Sequence, residues 1–381
     1  MELCLAGCWD FFTASAFPCD FKERPRWVSM PSDLLEEYSM GDTLGRGAYG
    51  VVVAGTHRST GTEVAVKFFD RSRTGSREVQ SEAALLKCLG HRNIVGCSRF
   101  IGDARHPCLV MERYAGGDLV EGLQRRLREE PGPHPCEAFA HIGAQMACAI
   151  QYLHSFNIVH RDVKSENFML DRKDIMDPNL RIALGDFGAA RALAEGERLG
   201  CAFGTKMFWA PESYAMDYGL KVDIWAMGVV MYSLLVCRFP FRDEVDVRRR
   251  EPLYPKRLPP DARDYLKSML QKIEAKRPSA EMICGHPWIC REVGAAPEDT
   301  TSSAGGPALE LPEEALKGDS GCGGEGSQHS GSDSTCASVD RSPSVSTKGS
   351  DGIPDLGSIH SEAAAGRVCV GGGTTHGWGL L

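Results

Sequence analysis

His160-Arg161-Asp162-Val163-Lys164-Ser165-Glu166-Asn167 brings a carboxylate, an ammonium and an amide (Asp162, Lys164 and Asn167) within six residues of one another. Downstream stand Asp186-Phe187-Gly188 and Ala210-Pro211-Glu212, and upstream lies Gly45-Arg46-Gly47-Ala48-Tyr49-Gly50-Val51-Val52, whose glycines are spaced G-x-G-x-x-G. Gly45, Gly47 and Gly50 carry no Cβ, so a backbone built from them can come close to phosphate oxygens. That spacing is shared with dinucleotide-binding folds, which place an acidic residue about 20 positions on to hold a ribose. Here Val64-Ala65-Val66-Lys67 occupies that place. A strand-borne lysine suits the α- and β-phosphates of a nucleoside triphosphate, which need a positive partner.

In this order and register the motifs resemble the protein-kinase superfamily, whose catalytic loop reads H-R-D-x-K-x-x-N. The resemblance covers roughly Tyr38 to Ile289. It implies an α+β, bilobal protein kinase fold with a small β-rich N-lobe and a larger α-helical C-lobe. It also implies a transferase that moves the γ-phosphate of ATP, with Mg2+, to protein substrates. By the same resemblance Asp162 accepts the hydroxyl proton, Lys164 lies near the γ-phosphate, and Asn167 and Asp186 hold the magnesium ions. Glu82 stands nine residues before His91-Arg92-Asn93-Ile94-Val95, where the family carries the helical glutamate that pairs with the strand lysine. Glu78, one helical turn away, is the competing partner for Lys67.

The remaining expectations concern packing. Val52, Ala65 and Met169 should surround the adenine, with Met111 at the gatekeeper position before the hinge Glu112-Arg113-Tyr114. By the same resemblance His160 and Phe187 should belong to a buried stack linking the lobes, Glu212 should pair with Arg277, and Asp223 should cap the catalytic-loop backbone. Lys164 two residues after Asp162, with Gly204-Thr205 before Ala210-Pro211-Glu212, resembles the serine/threonine pattern. Thr205 would then bridge Asp162 and Lys164. Asp118, placed on the nucleotide side, and Glu166 also match acidic positions that bind basic residues, so a substrate with Arg or Lys two or three residues upstream of the acceptor is expected.

Glu166-Asn167-Phe168-Met169-Leu170 and His286-Pro287-Trp288-Ile289 are similar to the calcium- and calmodulin-dependent group, particularly the calcium-dependent kinases of plants and protists. No EF-hand loop or basic amphipathic helix follows Ile289, so direct calcium or calmodulin binding is not expected. Two departures stand out. Between Asp186 and Glu212 the one hydroxyl residue is Thr205, and Cys201 occupies the place of an activating phosphothreonine. Activity without phosphorylation of this loop is expected, with Glu195 or Glu197 substituting beside Arg161 and Cys201 acting as a small buried thiol. The stretch from Phe241 to Ala262, where relatives place a helix and a longer linker, is short and carries Arg248-Arg249-Arg250, read as a solvated face. A pseudokinase or scaffold would lack one of Lys67, Asp162, Asn167 or Asp186, and all are present.

Composition sets the frame. The 381 residues, 42% hydrophobic and 25% charged, are ordinary for a globular protein, and a net charge of -8 gives no support to nucleic-acid binding. Branched residues predict strands at 51–54 and 63–68, and apolar spacing predicts helices over 77–89, 139–153, 224–236 and 262–270. The expected organisation is an extension over 1–37, a catalytic domain over 38–289 (N-lobe about 38–111, C-lobe about 115–289) and a disordered Gly/Ser-rich tail over 290–381. The 15 scattered cysteines form no C-x-x-C pair and suit a reducing compartment. No transmembrane segment, secretory leader or myristoylation signal is expected, since Glu2 stands where that acylation needs glycine. A cytoplasmic location follows as the default.

Overall fold

Two kinds of hydrophobic patterning divide the chain, and the computed structural model turns them into two layers of structure. It describes residues 30–47, 50–72, 74–102, 106–130 and 136–293; the expectations for 1–29 and for the tail from 294 lie outside the described residues. Tyr38–Gly47 (β1), Gly50–His57 (β2), Glu63–Phe69 (β3), Cys97–Ile101 (β4) and Cys108–Glu112 (β5) form one antiparallel sheet in the order β1-β2-β3-β5-β4. Branched residues favour such a pleated, half-buried surface, and Val51, Val53, Val64, Val66 and Val110 fill one buried cluster there. Ser32–Glu37 (α1), which the sequence reading leaves in the extension, joins that cluster through the fully buried Leu34.

Ser76–Cys88 (α2) crosses between β3 and β4 and buries Val79, Glu82, Ala83, Leu85 and Leu86. Those positions follow helical spacing, so one face turns inward.

After β5 the chain makes a second, three-stranded sheet from Gly117–Asp118 (β6), Phe168–Leu170 (β8) and Ile182–Leu184 (β9), in the order β6-β8-β9. Residues 113–116 are therefore the connection between the two sheets. A second tie runs through Asn93–Val95, where Leu184 N–H donates to Asn93 and Val95 N–H donates to Leu184, both at 2.9 Å. The short pair Ile158–Val159 (β7) and Arg191–Ala192 (β10) flanks the catalytic-loop motif.

The C-terminal part is helical: Leu119–Glu129 (α3), Ala140–Ser155 (α4), Pro211–Tyr214 (α5), Lys221–Val236 (α6), Glu244–Arg249 (α7), Pro260–Met269 (α8), Ala280–Cys284 (α9) and Pro287–Val293 (α10). Every residue of α6 from Val222 to Val236 is buried, as an all-round apolar helix must be. It is the central post of the main core, with Trp225 stacked on Phe241 at 5.3 Å. The short stretch after Phe241 still forms one helix, α7, capped by Asp243. Its Arg248 and Arg250 pair with Glu244 and Asp246. A β-rich front and a helical back give the two-lobed α+β arrangement that the motif resemblance implied.

Candidate active site

Lys67 lies on β3 directly opposite Val52 of β2, and residues facing one another across strands share a sheet face. Ala65, two positions earlier, is on that face too. The Lys67 Nζ donates to Glu82 Oε1 at 2.7 Å and to Asp186 Oδ1 at 2.8 Å. Helix α2 decides the first partner: Glu82 is only 3% exposed, whereas Glu78 is exposed and its carboxylate lies against Gly75. Burial works against the Lys67 charge, but the two carboxylates outweigh it and hold the ammonium pKa above its ordinary value. Burial pushes the Glu82 carboxyl up while Lys67 pulls against it. Asp186 is held below the usual carboxylate range, because the neighbouring Lys67 overcomes its burial.

Asp186 itself has φ 57°, a left-handed conformation uncommon for a residue with a side chain. The turn over Phe187–Ala189 that follows is fixed by packing. Phe187 meets the His160 ring edge-on at 4.9 Å, and His160 Nε2 lies 3.1 Å from the Gly185 carbonyl oxygen. Gly188 lies against Glu82, where an added Cβ would sit 3.3 Å from Oε2.

Arg161 is a second left-handed residue, at φ 66°. Such a conformation costs about 1–3 kcal/mol and persists only where its surroundings enforce it. Asp223 does so from α6, accepting the His160 N–H at 2.8 Å and the Arg161 N–H at 3.0 Å. The strained turn presents Asp162. Lys164 Nζ donates to Asp162 Oδ2 at 2.7 Å, and the Thr205 hydroxyl and N–H donate to Oδ1 at 2.9 and 3.0 Å. Lys164 also reaches the Thr205 Oγ1 at 3.3 Å. Asn167 donates its amide N–H to the Asp162 carbonyl at 2.8 Å, which leaves its amide oxygen turned away from that bond.

The three glycines differ. A Cβ on Gly50 would fall 1.9 Å from the Phe68 carbonyl oxygen, so only glycine fits; at Gly45 and Gly47 it would meet no described atom within 4 Å. Gly50 is thus required by packing, whereas no described atom crowds Gly45 or Gly47. Met111 and Met169 pack on Val95, Tyr114 and Ala183 in one small apolar patch, and Ala65 pairs with Met111 across the strands. Val95 and Ala183 carry no polar chemistry, so sequence reasoning passed over them. Asp118 caps α3 by accepting the Glu121 N–H at 2.9 Å. Glu112 turns its side chain toward Arg181 and Tyr114.

The segment after Asp186 departs from expectation in two places. Glu197, expected beside Arg161, pairs instead with Arg191 at 2.7 Å and accepts the Ala194 N–H; Glu195 is exposed. Cys201 is half-buried rather than buried, and its Sγ accepts from Arg161 at 3.6 Å. The Arg161 guanidinium also lies over the Phe203 ring at 4.3 Å. The pair of Arg277 and Glu212 forms between α5 and the turn before α9.

Residues 38–289 match the family described as the protein kinase domain. The chain belongs to that family. Among curated relatives, serine/threonine-protein kinase DCLK3 of Mus musculus is 34% identical over 288 residues, covering 71% of this chain and 35% of the relative. Serine/threonine-protein kinase DCLK2 of Homo sapiens is 34% identical over 279 residues, 68% of this chain and 35% of its own length. Sucrose non-fermenting protein kinase 1 of Fusarium virguliforme is 33% identical over 269 residues, 67% of this chain and 37% of the relative. The chain thus matches little more than a third of each of these proteins. In this kinase domain no described helix is long and apolar enough to cross a membrane.

Proposed function

We propose that this chain is a protein serine/threonine kinase, with residues 38–289 as its catalytic unit, which transfers the γ-phosphoryl group of ATP to protein hydroxyls. One observation carries the reading. Lys67 and Asp186, 119 residues apart in sequence, meet at 2.8 Å beside the turn that presents Asp162. The donor set suits Mg2+. Asp186 engages Lys67 through one oxygen and its side chain is 34% exposed, and Asn167 has an amide oxygen to offer. Magnesium takes hard oxygen ligands, commonly one or two from protein and the rest from phosphates and water. Bound there, it would neutralise charge on the phosphates and orient them.

The chain's own residues supply the rest. Glu82 aims the Lys67 ammonium, and Gly45 and Gly47 let the backbone approach phosphate oxygens. Val52, Ala65, Met111, Tyr114 and Met169 receive the adenine with the main chain of Glu112. Asp162 orients the incoming alcohol and accepts its proton, while Lys164 and Thr205 hold that carboxylate in place. Charge stabilisation is the main demand of phosphoryl transfer, so positioning these groups is most of the catalysis.

Finer points follow as part of the same reading. Glu121 and Glu166 both lie within electrostatic reach of Asp118, which supports acceptors preceded by Arg or Lys. Arg161 is engaged by Cys201 and Phe203, and Arg198 of the same segment bridges Asp217 and Glu274. Both support activity without phosphorylation of this segment. The motifs around Glu166 and His286 support a place near the calcium- and calmodulin-dependent group, without direct calcium or calmodulin binding through this kinase domain. The cysteines are scattered along the sequence without a C-x-x-C pair, which supports a reducing, cytoplasmic setting.

The test is phosphate transfer by the purified chain with ATP and Mg2+ to an arginine-directed peptide library, beside Asp186→Asn. The substitution should lower turnover about a hundredfold or more. No transfer by the unaltered chain from an enzyme that binds nucleotide would favour the pseudokinase alternative. Equal rates in the two proteins would remove Asp186 from the mechanism.

A further inference from the structure

Arg181, at the entry to β9, takes no part in the chemistry above, yet one guanidinium joins three segments. It donates to both oxygens of Glu112, the last residue of β5, with Nη1 at 3.3 Å from Oε2. The same Nη1 donates to the Arg92 carbonyl at 3.3 Å, in the turn between α2 and β4. Its plane lies over the Tyr114 ring, 5.1 Å from the centroid, and the Tyr114 hydroxyl donates to Glu112 Oε2 at 2.8 Å. Arg181 is itself anchored in the second sheet. Its N–H donates to Asp171 Oδ1 at 2.9 Å, and its carbonyl accepts the Asp171 N–H at 3.0 Å.

The connection between the sheets therefore has its side chains drawn to one side by an arginine fixed on the other lobe. Glu112 and Tyr114 alternate with Arg113, which pairs outward with Glu63 of β3. Tyr114 belongs to the apolar patch with Met111, Met169, Val95 and Ala183. With its flanking side chains held, the main chain of 112–114 has little freedom at the edge of that patch. A planar fork that pairs bidentately with a carboxylate and stacks on an aromatic face is a task for arginine and not lysine.

We infer that Arg181 is a positioning residue for the nucleotide, holding residues 112–114 where the adenine must meet them. The inference rests on the ATP-binding reading, but direct nucleotide binding tests it without phosphate transfer. A half-exposed ion pair alone contributes little; here the effect comes from ordering a segment that would otherwise sample several positions.

The experiment titrates a non-hydrolysable fluorescent ATP analogue into the full chain, its Arg181→Ala, Arg181→Lys and Glu112→Gln variants, and the double variant Glu112→Gln/Arg181→Ala. Steady-state kinetics accompany it. Arg181→Ala should weaken analogue binding and raise the KM for ATP about three- to tenfold. Its kcat and peptide KM should change by less than about twofold. Arg181→Lys should recover only part of the affinity, and the double variant should bind no worse than the weaker single one. If Arg181→Ala fails to fold, Glu112→Gln, which keeps the shape of the side chain, should weaken analogue binding in the same direction. Unchanged affinity, full recovery by lysine, or equal losses in kcat and peptide KM would each overturn the inference, as would a chain that binds no analogue. A chain that binds but does not transfer phosphate sinks the kinase activity and leaves this test intact.

Discussion

Two buried cations in this molecule look alike and serve different ends. Arg277 is fully buried and bonds Glu212 through two nitrogens. Its other donors go to the carbonyls of Lys221 at 2.8 Å and Gln271 at 3.0 Å. Trp225 closes one side of it. Lys67 is almost as buried and also pairs with a buried carboxylate, but its second partner, Asp186, is a third exposed. A buried ion pair is therefore no mark of a site, since structural pairs are enclosed in the same way. The mark is a charged group left with acceptor capacity facing outward.

The largest expected effect breaks the enclosed member. Arg277→Ala strands the Glu212 carboxylate and two carbonyls in the core, and removing one partner of such a pair costs about 3–5 kcal/mol. Chemical denaturation checks it. A loss below about 1 kcal/mol would mean that water or a rearranged side chain replaces the arginine, and the contrast with Lys67 would fall. The open member should respond in rate rather than in stability. Glu82→Gln keeps the side-chain shape but releases the aim of Lys67, and turnover should drop on the order of tenfold or more. The unfolding free energy should move by less than about 1 kcal/mol. A variant that loses stability and keeps its rate would place Glu82 with Arg277.

The legibility of these two pairs differs for physical reasons. Lys67 and Asp186 sit in short motifs, and Glu82 stands at the family's distance before His91-Arg92-Asn93-Ile94-Val95, while burial on the face of α2 with Val79, Ala83 and Leu86 separates it from Glu78. Helix ends were within two or three residues of the spacing: α2 runs Ser76–Cys88 against 77–89, and α6 begins at Lys221 rather than 224. Arg181 could not be read. Its partner is 69 residues away, and neither residue belongs to a spaced pattern. Glu197 illustrates the opposite failure. It pairs with Arg191, six residues away at the start of β10, while the Arg161 guanidinium is turned toward Ala189, Cys201 and Phe203. Leu34 was missed because six residues of helix, Ser32–Glu37, hold too few turns to show a period.

Asp118 stands between the enclosed and the open carboxylate, and it gives the smallest and most discriminating test. One oxygen caps α3 through the Glu121 N–H, while Glu121 and Glu166 crowd it with like charge. Burial first, and that crowding second, push its pKa up to about 6, above the roughly 4 of an ordinary carboxylate. A raised carboxyl pKa favours the neutral form in the folded state. Its stabilising contribution is full below about pH 4 and is lost as pH rises through about 6. Charge available to attract a basic residue upstream of the acceptor changes in the opposite sense, present above about 6 and gone below it. The KM for an arginine-directed peptide should therefore rise about threefold between pH 7.5 and 5.5, the size expected of one exposed charge pair. In Asp118→Asn it should already be raised at pH 7.5 and stay flat. Asparagine caps a helix as well as aspartate does, so α3 should survive. The variant should also unfold no more readily than the unaltered chain at pH 7, because it sheds a carboxylate that is disfavoured there. A peptide KM that climbs equally in both proteins would assign the pH dependence to another group and leave Asp118 as a cap alone.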